Sequence, residues 1–167
     1  MKLVNFIRSN SSLQHRLFRS FLDDSSAQYG DLLLHNDVRW LSKGRVLERF
    51  WSIRGEALQF LGSLKAKKAT DFVDFITDVA KMTTVAFLVD ITGYLNELNS
   101  QLQGRNKTVI DLRQKCKSFQ AKLELFHKDI EAAHLLHFPT LKSILTPGCT
   151  VDCLSDFGAF INKLQQE

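Results

Sequence analysis

Proline and glycine are scarce in this sequence, with two prolines (Pro139 and Pro147) and eight glycines in 167 residues. A sandwich or barrel of many short strands relies on such residues at its turns, so that class is excluded. Cysteine is also sparse and odd in number: Cys116, Cys149 and Cys153. Three thiols do not make a disulfide framework, and they read as free thiols of a reducing, intracellular compartment. No secretory signal pattern opens the chain, because Met1-Lys2-Leu3 runs directly into a short amphipathic segment ending at Arg8. The longest apolar stretch, Val79 to Leu95, contains Lys81 and Asp90. Two charges at those positions argue for a buried helix and against a membrane span. Signatures of catalysis are missing too: there is no G-x-S-x-G, Walker loop, H-E-x-x-H or dinucleotide fingerprint. Catalysis by this chain alone is not expected.

What is present is ordinary globular material, 44% hydrophobic and 24% charged, with thirteen phenylalanines to fill a core. The length suits one domain or one lobe of a larger one. The net charge of +4 is unevenly placed. Residues 1–54 hold nine basic side chains against five acidic ones, and residues 55–167 hold equal numbers. Arginine dominates the first third, and arginine is the planar, bidentate phosphate binder. The surplus hints at anion binding but is far below that of a DNA-coating protein.

Hydrophobic spacing predicts a mainly α fold, a helical bundle with at most one short strand. Leu3 to Leu22 reads as helical with a break near Asn10, Ser12 capping the second part. Leu32-Leu33-Leu34-His35 is the one candidate strand. Ser42 is placed to cap a helix over 43–61, with Leu47, Phe50, Trp51, Leu58 and Leu61 at helical spacing and Gly62 just past its end. Lys65 to Lys68 reads as a basic loop. Thr70 would cap a long helix to Leu102, and a second long helix covers 108–136. Leu88, Ile91, Leu95, Leu98 and Leu102 form one stripe; Val109, Leu112, Cys116, Phe119, Leu123, Phe126, Ile130 and Ala133 form another. The short connection through Gly104 makes a long antiparallel helical hairpin the natural arrangement, with the stripes facing each other and excluding water. An intermolecular coiled coil is the alternative. Phe157, Phe160, Ile161 and Leu164 mark a last short helix.

Three constellations could carry chemistry. His134 and His137 with Cys149 and Cys153 have the residue types of a zinc site, although C-x3-C is looser than the usual knuckle. The competing reading is two helix-end histidines and two small hydrophobic thiols. Asp71, Asp74 and Asp78 share one side of a predicted helix and could hold Mg²⁺, yet they also sit where a helix N-terminus favours negative charge. The most distinctive stretch is Arg39-Trp40-Leu41-Ser42-Lys43-Gly44-Arg45, followed by Arg49. Arg and Lys hold phosphates, and a Trp stacked on an unpaired base contributes about 1–3 kcal/mol. Equally, Trp40 could anchor a helix start in the core, with the basic residues solvated around it.

At this stretch the chain resembles proteins derived from hAT-superfamily transposases. The resemblance is carried by Val4-Asn5-Phe6-Ile7-Arg8, by Leu13-x-x-Arg16-x-Phe18, and by Leu32-Leu33-Leu34-His35-x-x-Val38-Arg39-Trp40-Leu41-Ser42-x-Gly44-x-Val46-Leu47. Leu95-Asn96-x-Leu98-Asn99-x-x-Leu102-Gln103-Gly104 and Phe119-x-x-Lys122-Leu123 extend it, so that it covers roughly residues 3–145. The group resembled includes proteins with BED-type zinc fingers, SCAN domain-containing relatives and general transcription factor II-I repeat domain-containing proteins. In hAT transposases a helical insertion interrupts an RNase H-like core, and an Arg-Trp motif lies near its start. The resemblance therefore implies that residues 1–41 are a remnant of that core, 42–145 the helical insertion, and 146–167 a C-terminal helix. The catalytic acidic residues and the BED finger of the family match nothing in this sequence. What the resemblance implies is a non-catalytic helical domain of nuclear location. It would bind nucleic acid weakly through Arg39, Trp40, Lys43, Arg45 and Arg49, with no cofactor, metal, membrane or small-molecule substrate. Expected partners are DNA, other proteins, or a further copy through the helices. The alternative is a protein-interaction scaffold built on the hairpin, without a nucleic-acid role.

Overall fold

A computed structural model describes the backbone of residues 2–33, 40–104, 107–145 and 151–166, and the side chains of the same residues except 40–42 and 151–153. Among the described residues there are nine helices and no strand. The helices are α1 (Lys2–Ser9), α2 (Ser12–Asp24), α3 (Trp40–Ser52), α4 (Arg54–Ser63) and α5 (Lys67–Thr77), then α6 (Val79–Leu102), α7 (Val109–Glu131), α8 (Pro139–Ile144) and α9 (Val151–Gln166). The mainly α expectation holds. Leu32 and Leu33 are irregular, and the rest of the candidate strand, from Leu34, lies outside the described residues. The chain forms two compact units, residues 1–85 and 86–167, with the division falling inside α6.

In the first unit, α1, α2, α3 and α5 are short amphipathic helices, and α4 buries Ala57, Phe60 and Leu61. Ser11, one residue before the expected Ser12, caps α2 by accepting a hydrogen bond from the Gln14 N–H. The break at Asn10 is where the sequence placed it. The single helix expected over 43–61 is instead two. α3 begins at Trp40, so Ser42 lies inside it, and Ile53 interrupts the chain before α4. Ile53 is fully buried, with φ −116° and ψ 24°. Helical hydrogen bonds continue on both sides of it, from the Ile53 N–H to the Arg49 carbonyl at 3.3 Å and from the Ala57 N–H to the Ile53 carbonyl at 2.9 Å. Gly62 lies within α4 and does not end it. Phe18, Phe60 and Phe21 cluster here, Phe18 edge-on to Phe60 at 5.0 Å between ring centroids.

The helix expected from Thr70 to Leu102 is also two. Lys67 and Lys68 already belong to α5, Thr70 is interior, and Asp78 separates α5 from α6. Asp78 accepts from the Lys81 N–H at 3.1 Å and pairs with Lys81 Nζ at 2.8 Å. These bonds, the Lys81 side chain first, hold its carboxyl below the usual carboxylate range. Asp78 is thus a helix-start residue and does not share a continuous helix face with Asp71 and Asp74, which are exposed on α5.

In the second unit the core is aromatic. Phe87 stacks on Phe157 at 4.3 Å and 5° between ring planes, and Phe138 lies 5.6 Å away. Phe126 meets Tyr94 at 4.5 Å and Phe138 at 5.4 Å. α7 opens with a reciprocal capping box between Thr108 and Asp111 and ends at Glu131, five residues short of the expected 136. α6 and α7 run antiparallel, Glu97 beside Lys122 and Tyr94 beside Phe126. Their stripes exclude water over only part of their length. Leu123, Phe126 and Ile130 are buried, whereas Val109, Cys116 and Ala133 are exposed. The main packing partner of α7 is α9, a helix longer than the short one expected.

Two carboxylates fix the turn after α7. Asp129, 6% exposed, accepts from the His137 N–H at 2.8 Å and from His137 Nδ1 at 3.0 Å. Burial alone would raise its pKa. The bonds from His137 and Leu136 outweigh that and lower it. Asp90 on α6 accepts from the Thr140 N–H at 3.3 Å and the Leu141 N–H at 3.0 Å, capping α8 from outside. Burial dominates there, so its carboxyl is pushed up despite these bonds. Between the two anchors, Ala133 and Leu135 both take left-handed φ values of 52°. No described helix is long and apolar enough to cross a membrane.

Candidate nucleic-acid interface

The basic stretch singled out in the sequence lies at the start of α3. Arg39 is outside the described residues, and Trp40 opens the helix with its side chain not described. Lys43, Arg45 and Arg49 follow on the same helix. At 100° per residue, Lys43 projects on the side of the buried Val46 and Phe50, three and seven positions on. Its half-buried state follows from that neighbourhood. Arg45 is on the opposite side and exposed. Arg49, one turn beyond Arg45, shares its face but is half-buried.

Arg49 has a partner that the sequence did not disclose. Its guanidinium lies 3.8 Å above the Tyr29 ring, and Nη1 donates to the Asp31 carbonyl at 3.1 Å. The Asp31 carboxylate is the hub of this corner. Arg8 lies 3.4 Å from it, His15 Nε2 lies 2.9 Å from it, and the Leu32 N–H donates to it at 2.8 Å. Three helices, α1, α2 and α3, are thereby tied to the 29–32 segment. A cation–π contact of this kind, partly shielded from water, contributes about 1 kcal/mol. Arg49 therefore works on the structure of the first unit as well as adding charge. Of the charged pair on that face, Arg45 is the one that stands in solvent. Arg54, another of the first-third arginines, is likewise folded back, over the Trp51 ring at 4.0 Å and onto the Trp51 carbonyl.

The other constellations fare differently. For zinc, Cys149 and the Cys153 side chain lie outside what is described, and His137 is engaged with Asp129. No group of three or more His, Cys, Asp and Glu side chains converges among the described residues.

Comparison with known proteins places this geometry. A family model described as the FAM200/GTF2IRD2 helical domain matches residues 1–131. General transcription factor II-I repeat domain-containing protein 2 of Bos taurus is 39% identical over 142 residues, 84% of this chain and 14% of the relative. Its counterpart in Mus musculus is 38% identical over the same extent. The chain thus spans about one seventh of the length of these relatives. No solved structure matches it. The matched segment takes in all of α1 to α7, including the Asp31 hub and the basic turns of α3. The chain belongs to the FAM200/GTF2IRD2-like helical-domain family.

Proposed function

We propose that this chain is a non-catalytic helical domain, derived from a hAT transposase body, that binds nucleic acid weakly through the first turns of α3. The observation that carries the reading is the exposed Arg45 on α3, in the third of the sequence that holds the whole charge surplus. Arg39 and Trp40 precede it, and Lys43 and Arg49 flank it. Arg and Lys would contact phosphates, which gives affinity without sequence preference, and Trp40 would stack on a base. Under this reading, residues 1–41 descend from the RNase H-like core, 42–145 from the helical insertion, and 146–167 form the C-terminal helix. The relatives' name, with its reference to a transcription factor, supports a nuclear location and a non-enzymatic role.

The test is oligonucleotide binding by fluorescence anisotropy across a salt series. The intact chain is expected to bind single-stranded and duplex DNA with an affinity that falls as salt rises. Arg39→Ala with Arg45→Ala weakens binding and flattens the salt slope by about one for each phosphate no longer neutralised. Binding that is absent or independent of salt defeats the reading, as does Mg²⁺- or Mn²⁺-dependent cleavage that disappears when an Asp of this chain is replaced. The second reading, a protein-interaction scaffold on the hairpin, is favoured by one observation: among the described residues, Val109 and Cys116 of the apolar stripe of α7 are exposed.

A further inference from the structure

Lys65, Lys67 and Lys68 are charges that the nucleic-acid reading leaves unused. Together with Phe6, Asn10 and Gln14 they line an open cavity of about 530 Å³ in the first unit. Phe6 on α1 leans on Phe72 of α5 at 5.2 Å between ring centroids, which ties one wall of the cavity to the helix that carries the other. Asn10 Nδ2 donates to Gln14 Oε1 at 3.1 Å, and Gln14 Nε2 donates to the Phe6 carbonyl at 3.5 Å. These carboxamides are turned on each other and on α1, and they form a neutral wall. The charged wall is lysine alone, and all three lysines are exposed.

No carboxylate offsets these charges. Residues 57–70 hold the three lysines and no acid. Asp71, one turn beyond Lys67 on α5, does not line the cavity. Among the described residues, none of the three lysines is in an ion pair. Lys67 and Lys68 are also the first two residues of α5, whose first turn has no acid. The helix dipole disfavours positive charge at that end, and the three ammonium groups repel one another. Exposed side chains such as these are not demanded by core packing. A local rule broken with no compensating contact inside the fold points to compensation from outside it.

We propose that this cavity binds the phosphate group of a small phosphomonoester. Such a head group carries about two negative charges at neutral pH on three acceptor oxygens. Three lysines meet it as point charges, each with hydrogen-bond donors to give. The Phe6 wall offers apolar surface to the body that the phosphate is attached to. A nucleic-acid diester carries a single charge per phosphate, and a duplex presents it on a convex surface, so it suits a concave site less well. The cavity is built from residues other than the basic turns of α3, and the proposal does not rest on nucleic-acid binding there.

The test is thermal unfolding of the intact chain in inorganic phosphate or phenyl phosphate, each against sodium chloride of equal ionic strength. Both are expected to raise the midpoint saturably, by about 2 °C or more at about 20 mM. Lys67→Glu with Lys68→Glu puts acids where the helix dipole favours them. That variant should melt higher than the parent in chloride and lose the phosphate response. Lys67→Gln with Lys68→Gln should lose most of the response with circular dichroism unchanged. Absence of a response in the parent, an undiminished response in either variant, or a Glu variant that melts below the parent in chloride overturns the proposal. So does a rise that depends on Lys67 and Lys68 and is given by a 16-nucleotide strand without a terminal phosphate but by neither phosphate probe, since the site then takes a diester.

Discussion

The two units hold a buried or half-buried carboxylate in different ways. In the first, Asp31 keeps a quarter of its side chain in solvent and gathers Arg8, His15 and a backbone N–H from three directions. In the second, Asp129 is buried and Asp90 half-buried, and backbone N–H groups are their chief partners. The first arrangement joins α1, α2 and α3 to the 29–32 segment. The second fixes one turn beneath a stacked aromatic core. Ion pairs with water access are individually weak, whereas removing a partner from a buried group leaves an unsatisfied donor. The two units should therefore respond differently to loss of an acid.

The largest effect is expected from the core on which the second arrangement rests. Phe87→Ala removes the ring that Phe138 and Phe157 stack on and should cost about 3–5 kcal/mol, read as a lower urea midpoint. Asp129→Asn should follow at about 1–3 kcal/mol, because His137 and Leu136 donors then face an amide. Its pH dependence has a definite sign. The native carboxyl is held below its ordinary value of 3.8, so its contribution is complete above that value and is lost as pH falls through the lowered one. In the first unit, Arg49→Ala should cost about 1 kcal/mol through Tyr29 and the Asp31 carbonyl, and Arg45→Ala less than about 0.5 kcal/mol. Equal effects in chemical denaturation would erase the distinction between the two arginines. The smallest effect belongs to Asp90→Asn. Its pKa is raised, so its contribution is greatest below 3.8 and declines as pH climbs through the raised value. An Asn still caps α8, and the expected change at pH 7 is within about 0.5 kcal/mol, with the stability slope above pH 3.8 made shallower. A large loss at neutral pH would put Asp90 in the same class as Asp129.

Much of this architecture could be read from residue spacing, because the amphipathic helices bury one face. The break at Asn10, the turn at Gln103-Gly104 and the antiparallel sense of α6 and α7 all followed from local pattern. The breaks at Ile53 and Asp78 did not. Ile53 is a fully buried apolar residue at helical spacing, and its residue type alone does not record that its backbone leaves the helical region. Asp78 did leave a signal: an Asp three residues before Lys81 is a helix start as readily as an interior acid. Asp90 was legible only as a charge within an apolar run. Its partners Thr140 and Leu141 are fifty residues away, beyond any periodicity. The same holds for Arg49, whose residue type suggested phosphate while its partner Tyr29 lay on the far side of a turn. Coverage of α7 by α9 likewise depends on a pairing of distant segments, so the sequence predicted a sealed seam where, among the described residues, Val109 and Cys116 are exposed.

The turn between α7 and α8 carries one more implication. Ala133 and Leu135 occupy left-handed backbone conformations without being glycine, a cost of order 1 kcal/mol each. That cost is tolerated while Asp129 holds His137 and Asp90 holds the start of α8. The turn is therefore a latch under tension. When thermal motion frees either carboxylate, the backbone gains by relaxing, and opening of the second unit should start here and spread to the aromatic stack afterwards.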